Sequence, residues 1–322
     1  MKVFEEVDDL AIEIASQALL DGNLVAFPTE TVYGLGADAV NTSAVNRMYE
    51  SKGRPKDHPV IIHISSIEML SKWAVDIPKS ARILANQFWP GPLTIILKKS
   101  DLASDLITGG QKTVAIRIPN HPIALELLKR FEEKGGFGVV APSANRFGAV
   151  SPTRAKHVLN ELDSYLVESD VLLDGGNCEI GIESTIIFIN DNDFKILRPG
   201  FISAKKIIQT LQMSNIWISE SDKHHQLSVS GNLPNHYKPK AKVEINAIAH
   251  PGDGFIALKN IQTPNLAIRL GEPKDDLEFA HSLYSNLREA DQLNLDRVVV
   301  NYQSFSPLGI AILDRLVRAA SR

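Results

Sequence analysis

The sequence predicts an α/β protein whose sheet mixes parallel and antiparallel strands, and three observations support this fold class. Short runs rich in β-branched residues alternate with amphipathic stretches of helical length, which is the pattern expected of α/β folds. Hydrophobic residues make up 44% of the 322 residues and charged residues 22%, close to the averages for globular proteins. A polar turn at 190–193 separates two short strand candidates, so this neighbouring pair is expected to form an antiparallel hairpin.

The strands of the first half are predicted from short apolar segments bounded by polar residues, Gly or Pro. In chain order they are Leu24–Phe27, Val60–Ile64, Leu93–Leu97, Val114–Ile118, Val139–Ala141, Val171–Leu173, Thr185–Ile189 and Lys195–Leu197. The segments between most of them are long enough for a helix.

The helices between these strands are predicted from capping residues and from the helix breakers that follow them. The predicted segments are 9–20, 43–51, 78–88, 154–162 and 204–212. Their expected capping residues are Asp9, Ser43, Thr153 and Ser203, and Pro78 suits the first turn of the third helix. Gly22, Gly53 and the Pro90-Gly91-Pro92 turn are expected to end the first three helices.

The chain is expected to divide at 213–240, a segment rich in Ser, Asn, His and Pro with little periodicity. We therefore predict a first domain over 1–212, a linker over 213–240 and a smaller second α/β domain over 241–322. The strands predicted for the second domain are Val243–Ile245, Gly254–Leu258, Leu266–Leu270 and Arg297–Val300. Its predicted helices are Asp276–Leu293 and Leu308–Ala320.

Charge and composition exclude several classes of protein. The formal net charge is −4, from 34 Lys and Arg against 38 Asp and Glu, which argues against a broad basic surface for nucleic acid. Cys178 is the single cysteine, which excludes an intrachain disulfide and indicates a reducing compartment. The acidic N-terminal residues do not resemble a targeting segment, and no apolar run approaches the roughly 18 residues of a membrane span. We expect a soluble cytoplasmic protein that does not bind membranes.

Polar, glycine-rich loops at the ends of the predicted strands are the candidate binding segments, because strands hold loop side chains in place. The loop at 27–39 contains Thr31 and fits a G-x-G-x-x-[GA] pattern through Gly34, Gly36 and Ala39. The glycines of a dinucleotide fingerprint directly follow the strand, whereas here six residues intervene. These glycines therefore either turn the chain or belong to a polar ligand loop.

Basic residues near the same strand ends are candidates for holding an anion. Lys52 and Arg54 follow a predicted helix, where they either complement its dipole or clamp a phosphate. Arg117 lies within an apolar strand. Either that strand face is exposed, or the buried charge needs a partner, which would be a protein carboxylate or an anionic ligand. The small polar loops at 141–145 and 181–185 offer hydroxyl, amide and N–H groups to the same anion.

Several catalytic motifs are missing from the sequence. It contains no Walker A loop, no H-E-x-x-H, no G-x-S-x-G and no cysteine beside a catalytic histidine pattern. We therefore do not expect hydrolytic, metalloproteolytic or thiol chemistry, and no carboxylate cluster marks a dedicated metal site.

Taken together, these segments resemble the Sua5/YrdC family of threonylcarbamoyl-AMP synthases. The matching stretches are FPTETVYGLGADA (27–39), SKGRP (51–55), PVIIHI (59–64), FWPGPLTIIL (88–97), TVAIRIPNHPIA (113–124), APSAN (141–145), SPT (151–153), GIESTII (181–187) and LRPG (197–200). HYKPKA at 236–241 resembles the linker of the longer Sua5 form, and FAHSLYSNLREADQL and LGIAILDRLVRAA resemble its Rossmann-like C-terminal domain. The resemblance implies a twisted open α/β sheet around a positively lined cavity.

The resemblance also implies an activity. A nucleotidyltransferase of this kind would convert L-threonine, bicarbonate and ATP, the last with Mg²⁺, to threonylcarbamoyl-AMP and pyrophosphate. Separate threonylcarbamoyl transferase proteins would then modify tRNA next to the anticodon, so contact of this chain with tRNA would be indirect or weak.

The roles of individual residues follow from the same resemblance. The catalytic positions are Lys52, Arg54, Ser143 and Asn145. The ATP-binding positions are Arg54, His58, Thr113, Ser143, Ser151, Arg198 and Tyr237. The threonine-binding positions are Thr31, His63, Arg117, Ala141 and Ser184. His58 stands where the family more often has Asn, and Pro234 stands where the linker usually has a nucleotide-contacting Tyr.

Two other functions stay open on the sequence alone. A non-catalytic RNA-binding module would hold an RNA backbone in a positive concavity, although the net charge of −4 weighs against it. A carbamoyl-transfer domain of another enzyme would share the YrdC fold, although the Sua5-like second half argues against it.

Overall fold

The computed structural model describes residues 1–190, 194–212, 217–218, 227–229, 231 and 237–321. Most of the predicted linker, including Pro234, lies outside the described residues. The described part of 213–240 includes Trp217–Ile218, which pair in parallel with Lys195 and Ile196. The boundary at 213–240 stays a prediction.

The larger sheet lies in the first part of the chain and mixes parallel and antiparallel strands. Its strands are β1 Lys2–Phe4, β2 Val25–Phe27, β3 Gly34–Asp38, β4 Ile61–His63, β5 Leu93–Lys98, β6 Thr113–Arg117, β7 Val139–Val140, β8 Val171–Leu173, β9 Thr185–Ile189, β10 Phe194–Arg198 and β11 Trp217–Ile218. Among the described residues their order is β1-β8-β2-β3-β7-β4-β6-β5-β9-β10-β11. The pair β9 and β10 is antiparallel, which confirms the predicted hairpin and the mixed sheet.

Helices cover both faces of this sheet because successive strand residues point to opposite sides. They are α1 Asp9–Leu20, α2 Thr42–Lys52, α3 Leu70–Trp73, α4 Lys79–Phe88, α5 Asp105–Thr108, α6 Pro122–Glu133, α7 Ala155–Leu162 and α8 Ala204–Leu211. Short 3₁₀ turns occur at Ile67–Met69 and Asp163–Tyr165. On β2, Val25 and Phe27 pack with α1 and α6, whereas Ala26 packs in the core on the other face.

The second sheet contains parallel strands in the order β12-β15-β13-β14. The strands are β12 Lys242–Ile245, β13 Gly254–Ala257, β14 Ile268–Gly271 and β15 Arg297–Asn301, and the helices are α9 Asp276–Gln292 and α10 Pro307–Ala320. This arrangement confirms the predicted smaller α/β domain of Rossmann-like type. Its core extends into the first domain, where Val32, Val150, Ile180 and Ile182 join the same buried cluster.

Three of the predicted helix caps are wrong by a few residues. Asp8, not Asp9, caps α1 by accepting a hydrogen bond from the backbone N–H of Ala11 at 2.8 Å. Asn41, not Ser43, caps α2. Thr153 does not cap α7, because the helix starts one residue later than predicted. Polar residues cluster ahead of each helix, and sequence alone does not decide which one adopts the extended capping conformation.

Two elements beside the candidate site are absent from the sequence prediction. Residues 34–38 form the buried strand β3 rather than a ligand loop. Residues 122–133 form α6, whose signal in the sequence is a proline in the first turn followed by apolar residues at helical spacing. Both elements lie in stretches where glycine or proline suggests a turn, and tertiary packing overrides that local preference.

An ion pair between a half-buried arginine and a fully buried carboxylate lies near the edge of the larger sheet and gives a test of the fold. Asp170 is fully buried, and its carboxylate accepts hydrogen bonds from the backbone N–H groups of Leu24 and Val167 and from Arg47. We expect Arg47→Met to lower the free energy of unfolding by about 3 kcal/mol, because a buried carboxylate would lose its counter-charge. Urea unfolding monitored by circular dichroism measures this loss.

The matched control for this prediction is Lys98→Met. Lys98 pairs with Asp76 at 2.6 Å, but both side chains are largely exposed, so its loss should cost less than about 1 kcal/mol. Equal decreases in the free energy of unfolding of the two variants would contradict the expectation that Arg47 neutralises a buried carboxylate.

Candidate functional site

The candidate site is an open cavity formed by the loops after β2 and β7, the loop before β9, the end of β10 and the strands β4 and β6. The residues that line it are Thr29, Thr31, Val32, Gly34, Arg54, Ile61, His63, Arg117, Ala141, Pro142, Ser143, Glu183, Ser184, Arg198, Gly231 and Tyr237. The structure thus brings together all the residues expected to bind threonine and four of those expected to bind ATP.

The charge of Arg117 is balanced by a protein carboxylate at the cavity wall. Its Nη2 atom lies 2.7 Å from Oε2 of Glu30, and both side chains are at most 5% exposed. The Nε of Arg117 also donates to the carbonyl of Gly91 at 3.3 Å. The sequence left open a protein or a ligand partner for Arg117, and the structure shows the protein partner in a position that also faces the cavity.

Lys52 and Asn145 lie behind the cavity rather than in its wall. The Lys52 ammonium donates to the backbone carbonyls of Ser143 and Asn145, each at 2.5 Å. The Asn145 amide donates to the carbonyls of Arg146 and Ala149 at 2.7 and 2.9 Å. Burial, reinforced by Arg54 and Arg146, lowers the pKa of Lys52. Both side chains therefore shape the loop that presents Ser143.

Glycines at 34 and 36 allow that loop to approach β3. Gly34 pairs with Ser143, and a Cβ at Gly34 would lie 3.1 Å from Cβ of Ala141. A Cβ at Gly36 would lie 2.9 Å from side-chain atoms of both Phe27 and Val139. Close packing, rather than phosphate binding, explains the glycine pattern.

Glu183 and its neighbour Ser184 also line the cavity. The Glu183 carboxylate accepts hydrogen bonds from Ser151 at 2.6 Å, Tyr284 at 2.9 Å and Arg315 at 2.9 Å. Burial would raise the pKa of Glu183, but Arg315 and the other partners outweigh it and hold that pKa at about 2. Glu183 is therefore ionised at neutral pH.

Ser184 is bound on both its side-chain and backbone oxygens. The guanidinium of Arg198 donates through Nη2 to the Ser184 hydroxyl at 3.1 Å and through Nε to the Ser184 carbonyl at 3.0 Å. The hydroxyl of Thr94 lies 2.8 Å from the same hydroxyl. Ser184 and Arg198 thus form one rigid unit at the cavity wall.

Three residues expected to contact ATP lie away from the cavity wall. Ser151 is buried against Glu183. His58 packs edge-on against Phe147 at 5.3 Å between ring centroids. Thr113 lines a second, smaller cavity with Gln111, Ser228 and Val229. Their roles in binding ATP stay predictions.

Arg54 and Tyr237 line the cavity and are buried. Arg54 donates from Nη2 to the carbonyl of Pro59 at 2.8 Å. The Tyr237 ring stacks on Tyr284 at 5.4 Å and lies 5.6 Å from the Arg315 guanidinium. A guanidinium, a phenol ring and a serine among the lining residues suit an anionic ligand with an aromatic or polar extension.

Two residues of this region were not predicted from the sequence: Glu183, which lines the cavity, and Arg315, which binds Glu183. Arg315 carried a recognisable signal, since it lies between Ala311 and Ala319 on the apolar stripe of α10. A charged residue on an apolar stripe needs a buried partner. That partner is Glu183, which lies 132 residues earlier in the chain. The local sequence around Arg315 does not identify it.

Within the described ranges, no group of three or more His, Cys, Asp or Glu residues is placed to hold a metal ion. None of the helices in the described part of the chain combines the length and apolar character needed to cross a membrane. Cys178 is a buried free cysteine, and burial raises the pKa of its thiol.

Comparison with known proteins gives two family matches and several relatives. The model described as "Telomere recombination" (Sua5, YciO and YrdC) matches residues 17–200. The model described as "Threonylcarbamoyl-AMP synthase, C-terminal domain" matches residues 202–321.

Relatives match the chain over almost its whole length. A threonylcarbamoyl-AMP synthase of Pyrococcus abyssi is 35% identical over 99% of this chain and 97% of its own. One of Bacillus subtilis is 36% identical over 97% of this chain and 94% of its own. The crystal structure of P. abyssi Sua5 complexed with L-threonine superposes with a TM-score of 0.88 over 99% of this chain and 97% of that one, at 35% identity.

The buried ring of His63 predicts how stability depends on pH. Burial and the charge of Arg117 lower the pKa of His63 to about 3. Between pH 6.5 and about pH 3, the His63 ring binds a proton in the unfolded chain but not in the folded chain. The contribution of His63 to the free energy of unfolding should therefore be constant above pH 6.5. Below pH 6.5 the free energy of unfolding should decrease by up to about 1.4 kcal/mol per pH unit because of this group.

His63→Gln should reduce this slope between pH 7.5 and 5, measured by urea unfolding at several pH values. A remaining slope is expected from His157, whose pKa burial also lowers to about 3, so adding His157→Gln to His63→Gln should reduce the slope further. A His63→Gln slope equal to that of the wild type would contradict this account.

Proposed function

The chain belongs to the Sua5/YrdC family, and from this membership we propose that it catalyses the formation of threonylcarbamoyl-AMP and pyrophosphate from L-threonine, bicarbonate and ATP. The enzyme class proposed is nucleotidyltransferase. The observation that carries the proposal is one cavity lined by Arg117 and Ser184 together with Arg54, Ser143 and Arg198. Two family models that together span 17–321 support it over an isolated carbamoyl-transfer domain.

Threonine is proposed to bind beside Arg117. A guanidinium recognises a carboxylate through paired N–H donors, and Arg117 keeps one edge on Glu30 at 2.7 Å. Thr31 and Ser184 supply hydroxyl groups on the flanking walls, and His63 and Ala141 complete the lining. Because the pKa of His63 is about 3, its neutral ring would leave Arg117 as the cation facing the carboxylate.

The phosphates of ATP are proposed to lie along Arg54, Ser143 and Arg198, with the nucleoside reaching toward His58, Thr113, Ser151 and Tyr237. Lys52 and Asn145 would contribute by holding the Ser143 loop in place, as their hydrogen bonds to backbone carbonyls support. Their buried position favours orienting the loop over contacting phosphate directly.

The proposed chemistry proceeds in two balanced steps. The threonine amine forms a bond to the carbon of bicarbonate and water leaves, which yields N-carboxythreonine. A carboxylate oxygen of that carbamate then attacks the α-phosphorus of ATP, and the bond to the bridging oxygen breaks to release pyrophosphate. Positioning and fixed positive charge near the α-phosphate would supply most of the rate enhancement.

We propose that Mg²⁺ enters with ATP as a substrate complex, because phosphate oxygens and water suit this ion. Downstream transferase proteins would accept the threonylcarbamoyl group for tRNA, with this chain contacting tRNA indirectly or weakly. The proposed compartment is the cytoplasm.

The activity is tested by measuring pyrophosphate release while each substrate is omitted in turn. We expect release only when L-threonine, bicarbonate and ATP are all present, because the attacking oxygen comes from their combined product. Release that is independent of threonine would refute the proposal. Salt-dependent tRNA binding without any ATP turnover would instead favour the RNA-binding alternative.

Arg54→Ala should lower the rate of pyrophosphate release by about 100-fold or more, because it removes a charged donor near the phosphates. The matched control is Arg82→Ala, since Arg82 is exposed on α4, and its rate should equal that of the wild type. A wild-type rate in Arg54→Ala would remove Arg54 from the mechanism.

Substrate identity is tested by calorimetric titration of L-threonine against L-serine, with and without a non-hydrolysable ATP analogue. Serine lacks the methyl group that would contact the apolar lining of Val32 and Ile61, so we expect it to bind about tenfold more weakly. Equal affinities would contradict a site specific for threonine.

A further inference from the structure

Arg315 is a fully buried arginine whose guanidinium faces the first domain from α10. Its Nε donates to Oε2 of Glu183 at 2.9 Å and its Nη2 to the backbone carbonyl of Glu183 at 3.3 Å. Its Nη1 donates to the carbonyl of Pro199 at 2.8 Å and to Asp314 at 2.8 Å. The planar fork of arginine suits it to hold several acceptors in fixed positions.

The acceptors on the first domain immediately adjoin two residues of the cavity wall. Glu183 precedes Ser184 in the chain, and Pro199 follows Arg198. Ser184 and Arg198 are in turn hydrogen-bonded to each other through two contacts. One guanidinium from the second domain therefore binds the residues next to both Ser184 and Arg198.

A third part of the wall also rests on this arginine. The Tyr237 ring lies 5.6 Å from the Arg315 guanidinium and stacks on Tyr284, whose hydroxyl donates to Glu183. Tyr237 itself lines the cavity. The same guanidinium thus contacts a ring, a carboxylate and two backbone carbonyls beside the cavity.

A second ion pair between the domains serves as a control, because it distinguishes support of the cavity wall from attachment of the two domains to each other. Arg288 on α9 pairs with Glu161 on α7 at 3.1 Å, and neither residue lines the candidate cavity. Both pairs join the same two domains, but only the pair of Arg315 reaches the cavity wall.

We propose that Arg315 is a positioning residue for the candidate site, through which the second domain sets the geometry of Ser184, Arg198 and Tyr237. This inference rests on the proposed function for the identity of the ligands. Arg315 itself does not line the cavity, so it acts through Glu183 and Pro199 rather than by touching substrate. The second domain accordingly completes the binding site of the first.

The test compares Arg315→Met, Arg315→Lys and Glu161→Gln in the full chain, each checked for folding by circular dichroism. We expect Arg315→Met to raise the threonine dissociation constant and the KM for ATP by about tenfold or more, because small displacements of binding groups are costly. Arg315→Lys keeps the charge but not the fork, so its effect should be intermediate. Glu161→Gln should stay within about twofold of the wild type on both measures.

Wild-type affinity and KM in a folded Arg315→Met variant would overturn the inference, as would an equal loss in Glu161→Gln. If Arg315→Met does not fold, Arg315→Lys decides, and unchanged threonine binding in that variant overturns the inference. A wild-type protein that binds no L-threonine would refute the proposed function instead.

If the wild-type protein binds no L-threonine, hydrogen exchange at the backbone amides of 182–185 tests whether Arg315 holds this part of the cavity wall in place. Exchange that is at least about tenfold faster in the Arg315 variant than in Glu161→Gln supports the inference. Exchange equal to that of Glu161→Gln overturns it.

Discussion

The buried carboxylate of Glu183 is the interaction on which the rest of the site depends. It accepts hydrogen bonds from Ser151 in its own domain and from Tyr284 and Arg315 in the other domain. A carboxylate removed from water is stable only when charged and polar partners surround it. The two domains therefore cannot separate without exposing this group, and the cavity wall beside it takes its shape from their contact.

The arginine charges that line the cavity have partners within the protein. Arg117 is paired with Glu30, and the charge of Arg198 lies close to that of Glu183. Both arginines line the cavity, where Glu30 pairs with Arg117 and Ser184 accepts two hydrogen bonds from Arg198. A net charge of −4 for the whole chain thus conceals a cavity whose positive groups are held in place by protein acceptors, which is a form of electrostatic preorganisation.

Much of the fold could be predicted from the sequence because its signals are local. Alternating apolar runs predicted β8 and β9 with their observed bounds, and Ser203 caps α8 as expected. The strand β3 could not be predicted, because its glycines are required by close packing against Phe27 and Val139 rather than by a turn. The candidate site residues followed from family resemblance, and the structure brings most of them into one cavity. Their supporting partners did not follow, since Glu183 and Arg315 are joined only by tertiary structure.

The separation of Glu183 from Arg315 has a consequence for biosynthesis. The arginine follows the carboxylate by 132 residues, so a growing chain carries Glu183 through that whole interval before its partner exists. An unpaired carboxylate resists burial, and domains fold largely in the order in which they emerge. The loop that bears Glu183 is therefore expected to stay hydrated on the ribosome until α10 arrives. Nascent chains would hold the scaffold of the cavity but not its final geometry, which delays substrate capture until both domains are present.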